Sequence, residues 1–135
     1  MGCTQVILVD THVAAWLALD QHKISRRART AIDGARKNAA GLAISDITLL
    51  ELATLQNKGR IRLDISLESF LEEVESRFVV LPISARACAR AMALPATYPK
   101  DPADRIIGAT ALVEGLSLLT ADREIQRSKA VPTIW

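Results

Sequence analysis

Four acids in this chain stand where carboxylates could jointly hold a cation: Asp10, Glu51, Asp104 and Asp122. Asp10 ends the apolar run Val6-Ile7-Leu8-Val9, and Asp122 follows the mostly apolar run Leu116-Ser117-Leu118-Leu119 by three residues. In an open parallel sheet, ligands bind in the crevice beyond the carboxyl ends of the strands. Carboxylates about 4 Å apart repel by roughly 4 kcal/mol per pair at an effective dielectric near 20, so a gathering of such groups calls for a compensating cation. Hard divalent ions, Mg²⁺ or Mn²⁺, take oxygen ligands of this kind. A site built that way lowers the pKa of a water and clamps phosphate oxygens during in-line displacement. The corresponding reaction is phosphodiester hydrolysis with no covalent protein intermediate.

Each acid also has a purely structural reading. Asp10 could cap the helix that follows it, a role Asp fills well. Glu51 lies in the apolar stripe of its helix, four residues after Ile47 and four before Leu55. A Glu aimed at a core is costly unless it is paired or bound to a cation, so a buried ion pair is the alternative there. Asp101 is the natural N-cap before Pro102, and Asp104 falls at the third helical position; the helix dipole favours both. Asp122 or Thr120 could cap the turn after its strand. His12, beside Asp10, reads as a solvated histidine rather than a ligand.

The chain has 135 residues, 50% of them hydrophobic and 24% charged, which is ordinary globular composition for one domain spanning 1–135. A net charge of +2 does not by itself announce a nucleic-acid binder. Cys3 and Cys88 are far apart and form no Cys-x-x-Cys, which disfavours a zinc site and fits a reducing cytosol. No segment approaches the roughly 18 apolar residues needed to span a bilayer. The N-terminus lacks a signal-peptide layout, and Val6 stands where a myristoylation motif at Gly2 needs Ser or Thr. A cytoplasmic protein without a membrane partner is expected. Gly-rich phosphate loops, Gly-x-Ser-x-Gly and His-Glu-x-x-His are absent from the sequence.

The elements that must carry the acids follow from periodicity and stop signals. Val6–Val9 is short, apolar and β-branched, as for a strand buried on both faces. Helices are expected over Thr11–Leu19, Ser25–Asn38 and Asp46–Lys58, the last with Ile47, Leu50 and Leu55 on one stripe and Gly59 as its stop. Leu42–Ser45 reads as a strand between the latter two. Ser66–Ser76 is amphipathic, with Leu67, Phe70, Leu71 and Val74 inward. Phe78–Leu81 reads as another buried strand, halted by Pro82. Ser84 caps a helix reaching about Leu94, a loop covers Pro95–Lys100, and Asp101-Pro102 opens a helix that ends at Gly115. Leu116–Thr120 is a strand, Asp122–Arg127 a helical turn and Val131–Ile134 a last extended segment. Apolar strands alternating with helices imply a three-layer α/β/α domain around a mainly parallel sheet.

With these residues in order, the chain resembles PIN-domain ribonucleases of the VapC toxin type. The matching pieces are Val9-Asp10-Thr11-His12 with Trp16, Ser45 to Glu51, Lys58-Gly59-Arg60, Asp101-Pro102-Ala103-Asp104-Arg105, Leu119-Thr120-Ala121-Asp122 and Thr133-Ile134-Trp135. The Asp-Pro-x-Asp-Arg element is similar to one branch of that family. The resemblance implies that Asp10, Glu51, Asp104 and Asp122 bind Mg²⁺ or Mn²⁺ and carry catalysis, with Thr11, Ser45, Asp101 and Thr120 supporting them. It further implies cleavage of structured RNA, neutralisation by a cognate VapB-like antitoxin, and a homodimer. Two positions depart from the family pattern: Leu50 where Trp is frequent, and Tyr98-Pro99 where an aromatic is often followed by His. Neither departure falls on one of the metal acids themselves.

Basic residues crowd two stretches, Lys23 to Lys37 and Lys58 to Arg62. Arg26, Arg27, Lys58, Arg60 and Arg105 are the candidate RNA contacts, since cations at the rim of an acidic pocket can hold flanking phosphates. A solvated helix face explains the first cluster equally well. The alternative to an endoribonuclease is a catalytically degenerate PIN-like module that binds RNA or protein, against which the intact acid set speaks. A phosphotransfer receiver would need a second acid beside Asp10 and an Asp after the middle strand, where Pro82-Ile83-Ser84 stands instead.

Overall fold

The structure, a computed structural model, describes residues 6–38 and 41–135; Gly2 and Cys3 lie outside them. Five parallel strands form one sheet in the order β3-β2-β1-β4-β5: β1 Ile7–Val9, β2 Leu42–Ser45, β3 Val79–Leu81, β4 Ser117–Leu119 and β5 Thr133–Ile134. Among the described residues the α-helices are α1 Thr11–Leu19, α2 Arg26–Lys37, α3 Asp46–Asn57, α4 Leu67–Arg77, α5 Ala85–Met92, α6 Pro102–Glu114 and α7 Arg123–Ser128. Side chains of β1 alternate between two cores. Ile7 and Val9 pack with Val13, Ile32, Leu52, Phe70 and Val74 on one face, while Leu8 joins Leu94, Tyr98, Ile107 and Leu118 on the other. This is the expected three-layer α/β/α arrangement, with β1 at its centre.

Local chemistry sets where the helices begin. Ser25, Ser45, Ser66 and Ser84 each accept a main-chain N–H in the first turn of α2, α3, α4 and α5, worth about 1 kcal/mol apiece. Gly115, at φ 68°, closes α6 in the left-handed region that favours glycine.

Two expectations about burial are corrected. Leu50 is 63% exposed, because α3 turns Thr48 and Leu52 inward and a residue two positions from either lies about 200° away on the helix. Val79 is 51% exposed, since β3 is an edge strand rather than one covered on both sides. The last two strands are also shorter than the apolar runs containing them, and a 3₁₀ turn at Gln21–Lys23 joins α1 to α2. Among the described residues, no helix is long and apolar enough to cross a membrane.

Candidate active site

The chain reverses its direction of sheet growth between β1 and β4, so the crevice at their carboxyl ends is the topological switch point of the sheet. Asp10 leaves β1 there. It is buried, caps α1 by accepting the Thr11 N–H at 2.9 Å, and accepts the Thr120 hydroxyl at 2.6 Å across the strand pair. Thr120 also accepts the Asp122 N–H at 3.1 Å, and Asp122 caps α7 through the N–H groups of Glu124 and Ile125. The capping readings of Asp10 and Asp122 are therefore realised, yet both carboxylates still sit at the strand ends.

Glu51 approaches the same crevice from α3, which directly follows β2. The Thr11 hydroxyl donates to Glu51 Oε1 and lies 3.0 Å from the Thr48 hydroxyl. Thr11 thus tethers α1 to α3, and no cation pairs with Glu51 among the described residues. Thr48 escaped sequence reading; its signal was the spacing of three residues before Glu51, which puts both on adjoining faces of one helix. Ser45, fully buried, caps α3 and orients it.

The third arm is the start of α6. Asp101 accepts the Asp104 N–H at 3.1 Å, as an N-cap should. One carboxylate oxygen from each of Glu51, Asp101 and Asp104 lies within 4.8 Å of the others. Asp101 was expected to cap and support; it also enters this triplet, whereas Asp10 and Asp122 do not. Burial, then the charges of Asp10, Asp101, Glu51 and Asp122, pushes the Asp104 carboxyl up to about 7. Burial likewise raises Asp10 and Glu51, against the hydrogen bonds from Thr120 and Thr11 respectively. Crowded, desolvated carboxylates without cationic partners are the donor set a hard divalent ion takes.

A groove of about 520 Å³ opens beside Glu51 and Asp101, lined also by His12, Lys58 and Arg60 among others. Within the described residues the ion pairs join His22 and Lys23 to Asp20, so Lys58 and Arg60 have no acid partner. Arg26 and Arg27 are exposed on α2 and do not line this groove. Arg105 turns away from it: its guanidinium donates to the carbonyls of Ala91, Leu94, Pro95 and Tyr98, at 3.2 to 3.4 Å. Its donors are spent on main chain, which removes the reason for counting it among phosphate contacts. Tyr98 is 1% exposed and part of the core, so it offers no stacking face. Trp16 is half-buried against Trp135, with Lys23 over its ring.

A second, smaller cavity of about 250 Å³ runs between α1 and α4, lined by Leu17, Leu63, Phe70 and Phe78 and edged by Arg36, Arg62 and Arg77.

Residues 7–130 match the PIN domain family. The chain is 37% identical over 131 residues to Ribonuclease VapC22 of Mycobacterium tuberculosis, covering 96% of this chain and 98% of that protein. Among solved structures it is similar to the DNA-bound VapBC of Salmonella typhimurium, with a TM-score of 0.70 at 22% identity over 96% of each chain. A toxin–antitoxin complex from Klebsiella pneumoniae matches at a TM-score of 0.58 and 27% identity over 86% of each chain.

Proposed function

This chain belongs to the PIN-domain family, and from that premise we propose that it is a divalent-metal-dependent endoribonuclease, the toxin of a toxin–antitoxin pair. The observation that carries the metal is the approach of Glu51, Asp101 and Asp104 to within 4.8 Å at the carboxyl edge of the sheet. Mg²⁺ or Mn²⁺, when bound, would supply Lewis acidity toward a water and a phosphate group. The chain's own acids then divide the work. Glu51 and Asp104 would hold the ion, Asp101 would offer its carboxylate from the cap position, and Asp10 and Asp122 would add negative field at the adjoining strand ends. Thr11 and Thr120 fix the rotamers of Glu51 and Asp10 by hydrogen bonds, so little reorganisation is needed when substrate arrives. Lys58 and Arg60, free of acid partners and on the groove wall, hold phosphates that flank the scissile one.

The relatives named as toxin–antitoxin complexes support an antitoxin partner of the VapB kind. The cavity between α1 and α4 suits an apolar antitoxin segment, with acidic residues meeting Arg36, Arg62 and Arg77. A cytoplasmic homodimer of this single domain is the state in which we expect it to act.

Purified protein should cut structured RNA in Mg²⁺ or Mn²⁺ and stop in EDTA, and Asp10→Asn should abolish cutting with an unchanged circular dichroism spectrum. Equal cleavage with and without chelator would remove the mechanism. RNA binding without cleavage under any divalent ion would favour the degenerate binding module.

A further inference from the structure

We propose that Tyr98 is a positioning residue that holds Asp104 in the acidic triplet by gripping the first turns of α6, an inference that rests on the metal-site reading above. Tyr98 is the chain's single tyrosine and is almost fully buried beneath α6. Its hydroxyl donates to the main-chain carbonyl of Asp104 at 2.9 Å. In an α-helix that carbonyl points toward the amide of residue 108, so the phenol reaches it by passing over position 108. A Cβ placed on Gly108 would lie 2.2 Å from Tyr98 Oη and 2.7 Å from Cζ. The approach exists because position 108 has no side chain.

The grip is reciprocal. Arg105, the residue after Asp104, donates to the Tyr98 carbonyl and to three others between Ala91 and Pro95. The loop before α6 thus reaches up with a phenol while α6 reaches down with a guanidinium. Both main-chain polar groups of Asp104 are held, its N–H by the Asp101 carboxylate and its carbonyl by the Tyr98 hydroxyl. Three close carboxylates repel one another, and relaxation of the first turn of α6 would carry Asp104 away from Glu51. Pinning the main chain of Asp104 opposes that relaxation before any ion binds.

Tyr98→Phe removes only the hydroxyl. Thr110→Val is the comparator, since it deletes a buried hydroxyl-to-carbonyl bond (2.7 Å to Ile106) further along the same helix. Two quantities are measured on each protein: the Mn²⁺ dissociation constant, by titration followed with electron paramagnetic resonance, and Tm in EDTA. Tyr98→Phe should weaken Mn²⁺ binding about tenfold, the lower end for loss of a group supporting a ligand. Thr110→Val should stay within twofold of the parent while losing a similar amount of Tm. Mn²⁺ affinity within twofold for Tyr98→Phe would make Tyr98 an ordinary core residue and overturn the proposal with the metal reading intact. Equal weakening in both variants would overturn it too, because general loosening of α6 would then suffice. If the parent protein binds no Mn²⁺ at millimolar concentration, the metal reading itself falls, and this inference with it.

Discussion

Replacing Asp104 with Asn should make the metal-free protein more stable, and by an amount that grows with pH. Its carboxyl is shifted from 3.8 to about 7, chiefly by burial and then by the neighbouring acids. At about 1.4 kcal/mol per pKa unit the shift is worth roughly 4 kcal/mol; Asp104 is only partly buried, so solvent screening halves this to about 2 kcal/mol. The direction follows from proton linkage. Between 3.8 and about 7 the native state keeps a proton that the unfolded chain has released, so native stability falls across that window as pH rises. Asn cannot ionise and escapes the loss. None of the side-chain hydrogen bonds of the described residues ends on the Asp104 carboxylate, so the substitution breaks none. The expected gain in Tm is roughly 6 to 8 °C at pH 8 in EDTA, about two-thirds of that near pH 6, and almost nothing at pH 4. Saturating Mn²⁺ should reverse the order, because a ligand binding only the native parent adds stability that the variant lacks. Calorimetric melts at pH 4, 6 and 8, with EDTA and with Mn²⁺, read all of this. A variant less stable than the parent at pH 8 in EDTA, or a gain independent of pH, would refute the view that these acids are held together against their own repulsion.

Three further outcomes are expected. Thr120→Val should cost about 1 to 3 kcal/mol in urea unfolding, since Asp10 and the Asp122 N–H both lose a buried partner; an effect under 0.5 kcal/mol would mean that the strand-end acids are solvated. Asp101→Ser keeps a capping acceptor and deletes one charge of the triplet, so Tm should hold while Mn²⁺ affinity drops; unchanged affinity would return Asp101 to a capping role alone. Leu50→Ser, on the exposed face of α3, should change stability by less than about 0.5 kcal/mol; a larger loss in the purified protein at high concentration would show that Leu50 is covered in a dimer.

Much of this layout was legible in the chain because local chemistry coincides with it. The apolar Ile7-Leu8-Val9 run followed by Asp10 announces a central strand with an acid at its end, and Asp101-Pro102 fixes the start of α6 to the residue. What resisted reading depends on contacts between distant segments. Leu50 and Val79 are apolar like their neighbours, and only the packing of α3 and the edge position of β3 reveal that they face out. Arg105 carries the charge of a phosphate contact, yet the loop carbonyls it meets are invisible in one dimension. The burial of Tyr98 depends on Gly108, ten residues away, and nothing local in the Tyr98-Pro99 loop signals it.

The central strand of the sheet pairs on one side with a strand more than a hundred residues later in the chain, in the register Val9 with Leu119. Synthesis delivers Asp10 early and Thr120 and Asp122 late. Until residues 117–122 leave the ribosome, β1 lacks one neighbour, Asp10 lacks its hydroxyl donor and the crevice has one open wall. Pairings this remote in sequence form slowly and late in folding. A nascent chain that has not yet released residues 117–122 therefore lacks part of the acidic pocket, and the site assembles only when two segments more than a hundred residues apart have met.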